Sequence, residues 1–136
     1  MSDAAVSTMP GPSGVAESSP AVRAGDLIEV GGTSAAGEDG RVRYPGDAYL
    51  QAKEALAAIG VSLRRLGAGP EDVVRTRIYL KKSWQWAEVG KAHEEFFGGV
   101  LPATTFVGAG GFPDPDVLVE IEATAVAGDD RVRLAP

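Results

Sequence analysis

The ten residues VLVEIEATAV, 117 to 126, form the strongest strand signal in the chain and constrain everything around them. Val117, Val119, Ile121, Ala123 and Ala125 fall on one side of an extended segment, and Leu118, Glu120, Glu122 and Thr124 on the other. The aliphatic side demands an apolar cover. The opposite side sets two carboxylates next to each other, and a bare pair of that kind needs water, a counter-charge or a ligand.

Two amphipathic stretches can supply the cover. From Asp47 onward Tyr49, Ala52, Leu56, Ile59, Leu63 and Leu66 recur at spacings of three and four, which predicts a long helix capped by Asp47 and stopped by Gly67 and Gly69-Pro70. Gly60 lies inside it, where a missing side chain lets a neighbouring element come close. A second helix is predicted over Ser83 to Phe97, with Ser83 as its cap, Trp86, Val89, Ala92, His93, Phe96 and Phe97 on one side, and Gly98-Gly99 at its end. Between the helices VVRTRIYL (73–80) alternates as a strand, with Val74, Thr76, Ile78 and Leu80 on one face and Arg75 and Arg77 on the other. Leu27 to Val30 reads as a further strand, paired with Ala21 to Arg23, and Val42 as a brief extended piece within a loop. LPATTF (101–106) enters one more strand, on which Thr104 and Thr105 point to opposite faces.

Helices packed on one face of a mixed sheet, in an α+β domain, satisfy all these surfaces. The other face then mixes Glu120, Glu122, Arg75 and Arg77 with Leu118, and such a face is either solvated or covered in an oligomer, where an interface can hold a ligand. A length of 136 residues fits one domain. Residues 1–19, rich in Ala, Ser, Gly and Pro, are predicted to be a flexible arm, 20–127 the folded domain, and 128–136 a fraying tail.

Composition excludes several functions. The net charge of −6 opposes nucleic acid and anionic lipid as partners. With no cysteine and a single histidine the chain lacks thiolate and histidine-cluster chemistry, so no metal and no cofactor is expected. No apolar run approaches the roughly 20 residues of a membrane span. The opening residues lack the pattern of a secretory signal, and a cytoplasmic protein is predicted. GAGG (108–111) does not open a helix after a strand, which excludes a dinucleotide reading.

AVRAGDLIEVGGTSA, the helix beginning near DAYLQAKEAL, DVVRTRIYL, HEEFF, LPATTF and VEIEATAV occur in an order and spacing that resembles the RidA/YjgF family of reactive enamine/imine deaminases, over residues 20 to 127. The resemblance implies a chorismate-mutase-like fold assembled as a homotrimer with a central barrel and clefts between subunits. It also implies hydrolysis of 2-aminoacrylate and related imines to keto acids and ammonia, with a glutamate of the VEIE-like strand positioning or activating water. That glutamate is Glu120. The position at which deaminating members carry a carboxylate-gripping arginine is Thr104 here, Gly-Gly-Thr at 31–33 replaces a serine-glycine pattern, and Gly90 stands where an asparagine is common. A threonine hydroxyl lacks the charge and the forked geometry of a guanidinium. The exchange replaces a contact of about 1.5–3 kcal/mol by one of about 0.5–1.5 kcal/mol.

The predicted site is therefore Glu120 as the catalytic residue, with Thr104, Gly32, Thr33, Thr105 and Glu122 binding the substrate. Each has a plain structural alternative, which for Glu120 is a structural or solvated strand carboxylate. Glu122 suits an interface salt bridge, the threonines suit strand propensity, Gly31 to Thr33 suit a turn, and Arg75 and Arg77 suit pairing with acidic neighbours. His93 sits among apolar positions and reads as a packed, hydrogen-bonded histidine, and Trp84 and Trp86 as packing or interface residues. Three functions follow: a RidA-like enzyme hydrolysing or tautomerising an enamine or imine; an enzyme that cyclises, hydrates or cleaves a biosynthetic intermediate on the same scaffold; and a metabolite-binding protein without chemistry. Acidic charge and the absence of a histidine pair oppose nuclease activity.

Overall fold

A computed structural model describes residues 6–8 and 19–128. Its six strands are β1 (Val6–Thr8), β2 (Ala21–Ala24), β3 (Leu27–Thr33), β4 (Val73–Leu80), β5 (Ala103–Gly108) and β6 (Val119–Val126), and its helices are α1 (Ala48–Arg65) and α2 (Trp86–Phe97). One sheet holds them in the order β1-β2-β3-β6-β4-β5. All pairings are antiparallel except that of β4 with β5, which α2 joins as a crossover. Residues 6–8, placed by the sequence in the flexible arm, instead pair with β2 and satisfy its outer edge; the other arm residues before 19 and tail residues 129–136 lie outside the described residues.

Both helices cover one face of the sheet. Ile28, Val30, Ile78, Val119, Ile121, Ala123 and Ala125 lie beneath Ala52, Leu56, Ile59 and Leu63 of α1 and Val89, Ala92 and Phe97 of α2 in one continuous core. Alanines at 123 and 125 under alanines of α1 let helix and sheet approach closely. The expected cap is present, with Asp47 Oδ1 accepting from the Leu50 N–H at 2.9 Å. At the other end Gly67 takes a left-handed φ of 85°, and Arg23 donates to the Leu66 carbonyl at 2.6 Å. Phe96 of α2 packs at Gly60, where an added Cβ would meet its ring at 3.4 Å.

Four local expectations change. Ser83 does not cap α2: residues Ser83–Gln85 form a 3-10 turn, and α2 starts at Trp86 with Gln85 as a cap that makes no side-chain bond. Val73 rather than Val74 enters the core, because β4 gains one residue against β6 between Val73 and Arg75, a bulge that reverses the alternation. Leu118 is buried rather than on the outer face, since β6 begins at Val119, two residues later than the alternation predicts, and the Leu118 N–H is taken by Gln51 Oε1 at 2.9 Å. Trp84 and Trp86 stay exposed in the single chain, Trp86 meeting only the edge of Phe106 among ring contacts of the described residues.

Candidate functional site

The period of two distributes the predicted site residues over both faces of the sheet. Glu120 and Glu122 project from the outer face of β6, away from the helices, with Arg77 opposite Glu122 and Tyr79 opposite Glu120 on β4. Thr105 joins them: its hydroxyl accepts from the Arg75 guanidinium at 2.6 Å. Thr104 lies beside the buried Thr76 on the helix face, 2.8 Å between hydroxyl oxygens. Within one chain the structure therefore does not bring Glu120 and Thr104 together.

A second bulge builds the Glu120 position. β3 pairs with β6 at Val30–Ala123 and resumes at Thr33–Ile121, so Gly31 and Gly32 absorb an extra residue. There the Glu120 carboxylate lies so close over Gly32 that a Cβ at that position would stand 2.6 Å from Oε1. A glycine is needed for that close approach. The Thr33 hydroxyl turns back to donate to the Gly31 carbonyl at 2.8 Å, and the Gly31 N–H donates to Pro20 at 2.9 Å, which fixes the bulge.

Burial, followed by the negative charge of Glu122, pushes the Glu120 carboxyl above the usual carboxylate range. Glu122 itself accepts from the Tyr79 hydroxyl at 2.9 Å, and this bond with burial raises the phenol. The salt bridges expected of Arg75 and Arg77 do not form: the ion pairs among the described residues are Arg23–Asp26 and Lys53–Glu95. Two carboxylates thus share a surface without a guanidinium clamping either, a setting that suits acid/base work.

On the helix face His93 is packed and hydrogen-bonded as expected, with Nε2 2.9 Å from the Thr76 hydroxyl and its ring 4.6 Å from that of Phe97. Burial lowers its pKa from the ordinary histidine value. His93 and Thr104 also line a cleft of about 210 Å³ between the end of α2 and the start of β5. Thr76 and Tyr79 were not selected from the sequence, although Thr76 is the one polar residue in the inward stripe of VVRTRIYL, a usable signal. Among the described residues no group of three or more His, Asp or Glu side chains could hold a metal ion.

A mixed sheet backed by two helices is an architecture shared with many solved proteins, and the sequence comparisons narrow it. Residues 10–127 match the endoribonuclease L-PSP family. This chain belongs to that family, also called YjgF/Rid. It is 41% identical over 108 residues to the Streptomyces coelicolor protein SCO2049, covering 79% of this chain and 80% of that one. A RutC family protein of Pyrococcus abyssi is 30% identical over 125 residues, or 92% and 98% of the two chains. Among solved structures, Rv2704 of Mycobacterium tuberculosis, a YjgF/YER057c/UK114 family member, superposes with a TM-score of 0.79 at 36% identity, covering 90% of this chain and all of that one. The YjgF protein of E. coli gives 0.78 at 28%, over 88% and 98%. No helix of the described residues is long and apolar enough to cross a membrane.

Proposed function

We propose that this protein is a RidA-like enzyme that hydrolyses or tautomerises a small enamine or imine, with Glu120 as its acid/base group. The observation that carries the reading is the Glu120 carboxyl seated over Gly32, its pKa raised by burial and by Glu122. In hydrolysis the Glu120 carboxylate takes a proton from water as the oxygen adds to the C=N carbon and passes it to the nitrogen, giving a carbinolamine. It then takes the hydroxyl proton as C=O forms and delivers it to the nitrogen as the C–N bond breaks, so that water and imine become a carbonyl compound and ammonia and the carboxylate is restored. A raised pKa suits both halves of that cycle near neutral pH.

The working unit in this proposal is a homotrimer with ligand clefts between subunits. Exposed Leu27, Val107 and Val126 beside the acidic and basic groups of the outer sheet face support burial of that face by other copies. Assembly would also offer a route by which Glu120 of one subunit and the Thr104 cleft of another complete one site, which a single sheet cannot do. In the intact site Gly32 and Thr33 border the carboxylate, Glu122 tunes it, and Thr104 and Thr105 orient substrate from their respective faces. Cleavage of RNA is a poorer fit, since a chain of charge −6 repels phosphate backbones.

Glu120→Gln keeps the shape and removes the proton transfer. Ammonia release from an accepted imine should fall by at least about a hundredfold. Unchanged turnover would remove Glu120 from the mechanism, and a monomer in sedimentation would remove the intersubunit site.

A further inference from the structure

The polar groups of the cleft between α2 and β5 can be followed proton by proton. Each threonine hydroxyl has a single proton to give. That of Thr104 goes to the Pro102 carbonyl at 3.0 Å, so the 2.8 Å contact between Thr104 and Thr76 is donated by Thr76. With the Thr76 proton spent, the 2.9 Å contact to His93 is donated by Nε2–H, which also lies 3.5 Å from Thr104 Oγ1. One chain results, from His93 through Thr76 and Thr104 to Pro102. It sets the imidazole as the Nε2–H tautomer and leaves the lone pair on Nδ1, of a ring that lines the cleft.

Nδ1 makes no hydrogen bond among the described residues, and it is not a buried orphan, because the one buried side-chain atom without a partner there is Gln85 Oε1. The remaining polar side chain at the cleft is the Glu94 carboxylate, and Phe97, Val100, Leu101 and Pro102 supply apolar walls. Neither lysine nor arginine lines it. Every side-chain proton of this wall is already committed, so its side chains offer a ligand acceptors and no cation.

We propose that this cleft selects a small nitrogen compound that donates hydrogen bonds, such as an amine, amidine or iminium, and rejects carboxylates. His93 Nδ1 and Glu94 accept its N–H groups; Thr76 and Thr104 are positioning residues that hold the tautomer. The volume of about 210 Å³ is that of about seven water molecules at about 30 Å³ each and suits a small ligand. This deepens the proposed function and rests on it for the reaction, but not for the binding.

His93 is the only histidine of the chain, so nitrogen-15 NMR of the full-length protein reports one imidazole. At pH 7.5 the signals should show a protonated Nε2 and an unprotonated Nδ1. Titration with propionamidine should move Nδ1, whereas propionate of equal size and ionic strength should leave it in place. His93→Phe should weaken propionamidine about tenfold or more, the loss of one charge-assisted bond. Thr104→Val should free the Thr76 proton for Nε2 and shift the ring toward Nδ1–H, a change that a merely structural threonine would not produce. An Nδ1–H ring in the wild type, an unshifted tautomer in Thr104→Val, or propionate binding as well as propionamidine would overturn the inference. Should Thr104→Val fail to fold, the wild-type tautomer and the paired titrations decide alone. Propionamidine binding without turnover of any imine would sink the proposed function and spare this inference. Turnover of carboxylated imines without propionamidine binding would do the reverse.

Discussion

Gly32→Ala separates the site from the fold more cleanly than any other single change. The Cβ of an alanine at 32 would stand 2.6 Å from Glu120 Oε1, whereas ordinary contact begins near 3.4 Å, so the carboxylate must withdraw by about 0.8 Å. The obstacle is the far end of a flexible side chain, and Gly32 is not in the left-handed region, so the backbone has no reason to move. Stability should then hold or rise by about 0.4–1 kcal/mol through the lower entropy of the unfolded chain. A misplacement of about 1 Å at a reacting group costs on the order of a hundredfold in rate. Ammonia release should therefore drop by about ten- to a hundredfold while the melting temperature is kept. Gly31→Ala is the control, because its Cβ would meet only the Pro20 carbonyl at 3.6 Å. Equal turnover in Gly32→Ala and wild type would refute the claim that the carboxylate works from the position over Gly32.

Gln51→Leu should lower stability by about 2–4 kcal/mol, on the order of 10 °C in a melting scan, because the buried amide bonds the Tyr44 and Asp116 carbonyls at 3.1 and 2.9 Å and accepts from the Leu118 N–H; a loss under about 0.5 kcal/mol would contradict that role. Because the folded-state pKa of Glu120 is raised, its contribution to stability is present below the unfolded value near 4.5 and lost as pH rises through the folded one. At pH 7.5 Glu120→Gln should thus melt at the same temperature as wild type or higher, and a clear drop would point to a structural carboxylate. For His93 the sign is opposite: with its folded pKa lowered by burial, stability is present above about 6.5 and lost as pH falls below that value. His93→Gln should flatten that part of the stability-versus-pH curve measured by urea unfolding, and an unaltered slope would contradict a neutral, buried imidazole.

What could be read from the sequence is what depends on spacing within one element. The alternation of β6 puts Ile121 inward and Glu120 outward, the three-and-four spacing of α1 buries Leu56, Ile59 and Leu63, and Asp47 caps that helix as its chemistry suggests. Thr104 and Thr105 also part to opposite faces as a strand requires. The bulges at Val74 and at Gly31 and Gly32 escaped, because an extra residue shows only against the strand it pairs with. For the same reason the chain from His93 to Thr76 to Thr104 was not legible: its members come from α2, β4 and β5, and only the parallel pairing of β4 with β5 sets the threonines side by side. Gln51 was missed as a polar residue on a helix face whose carbonyl partners lie in distant loops.

Ammonia release from enzymatically generated imines, neutral and carboxylated, by wild type and Glu120→Gln tests the central claim most directly. The account predicts that the wild type accelerates release from neutral imines more than from carboxylated ones of the same size, and that Glu120→Gln loses the acceleration. Acceleration untouched by Glu120→Gln would contradict it, whereas acceleration of carboxylated imines alone would overturn the selectivity of the cleft between α2 and β5 and leave the role of Glu120 standing.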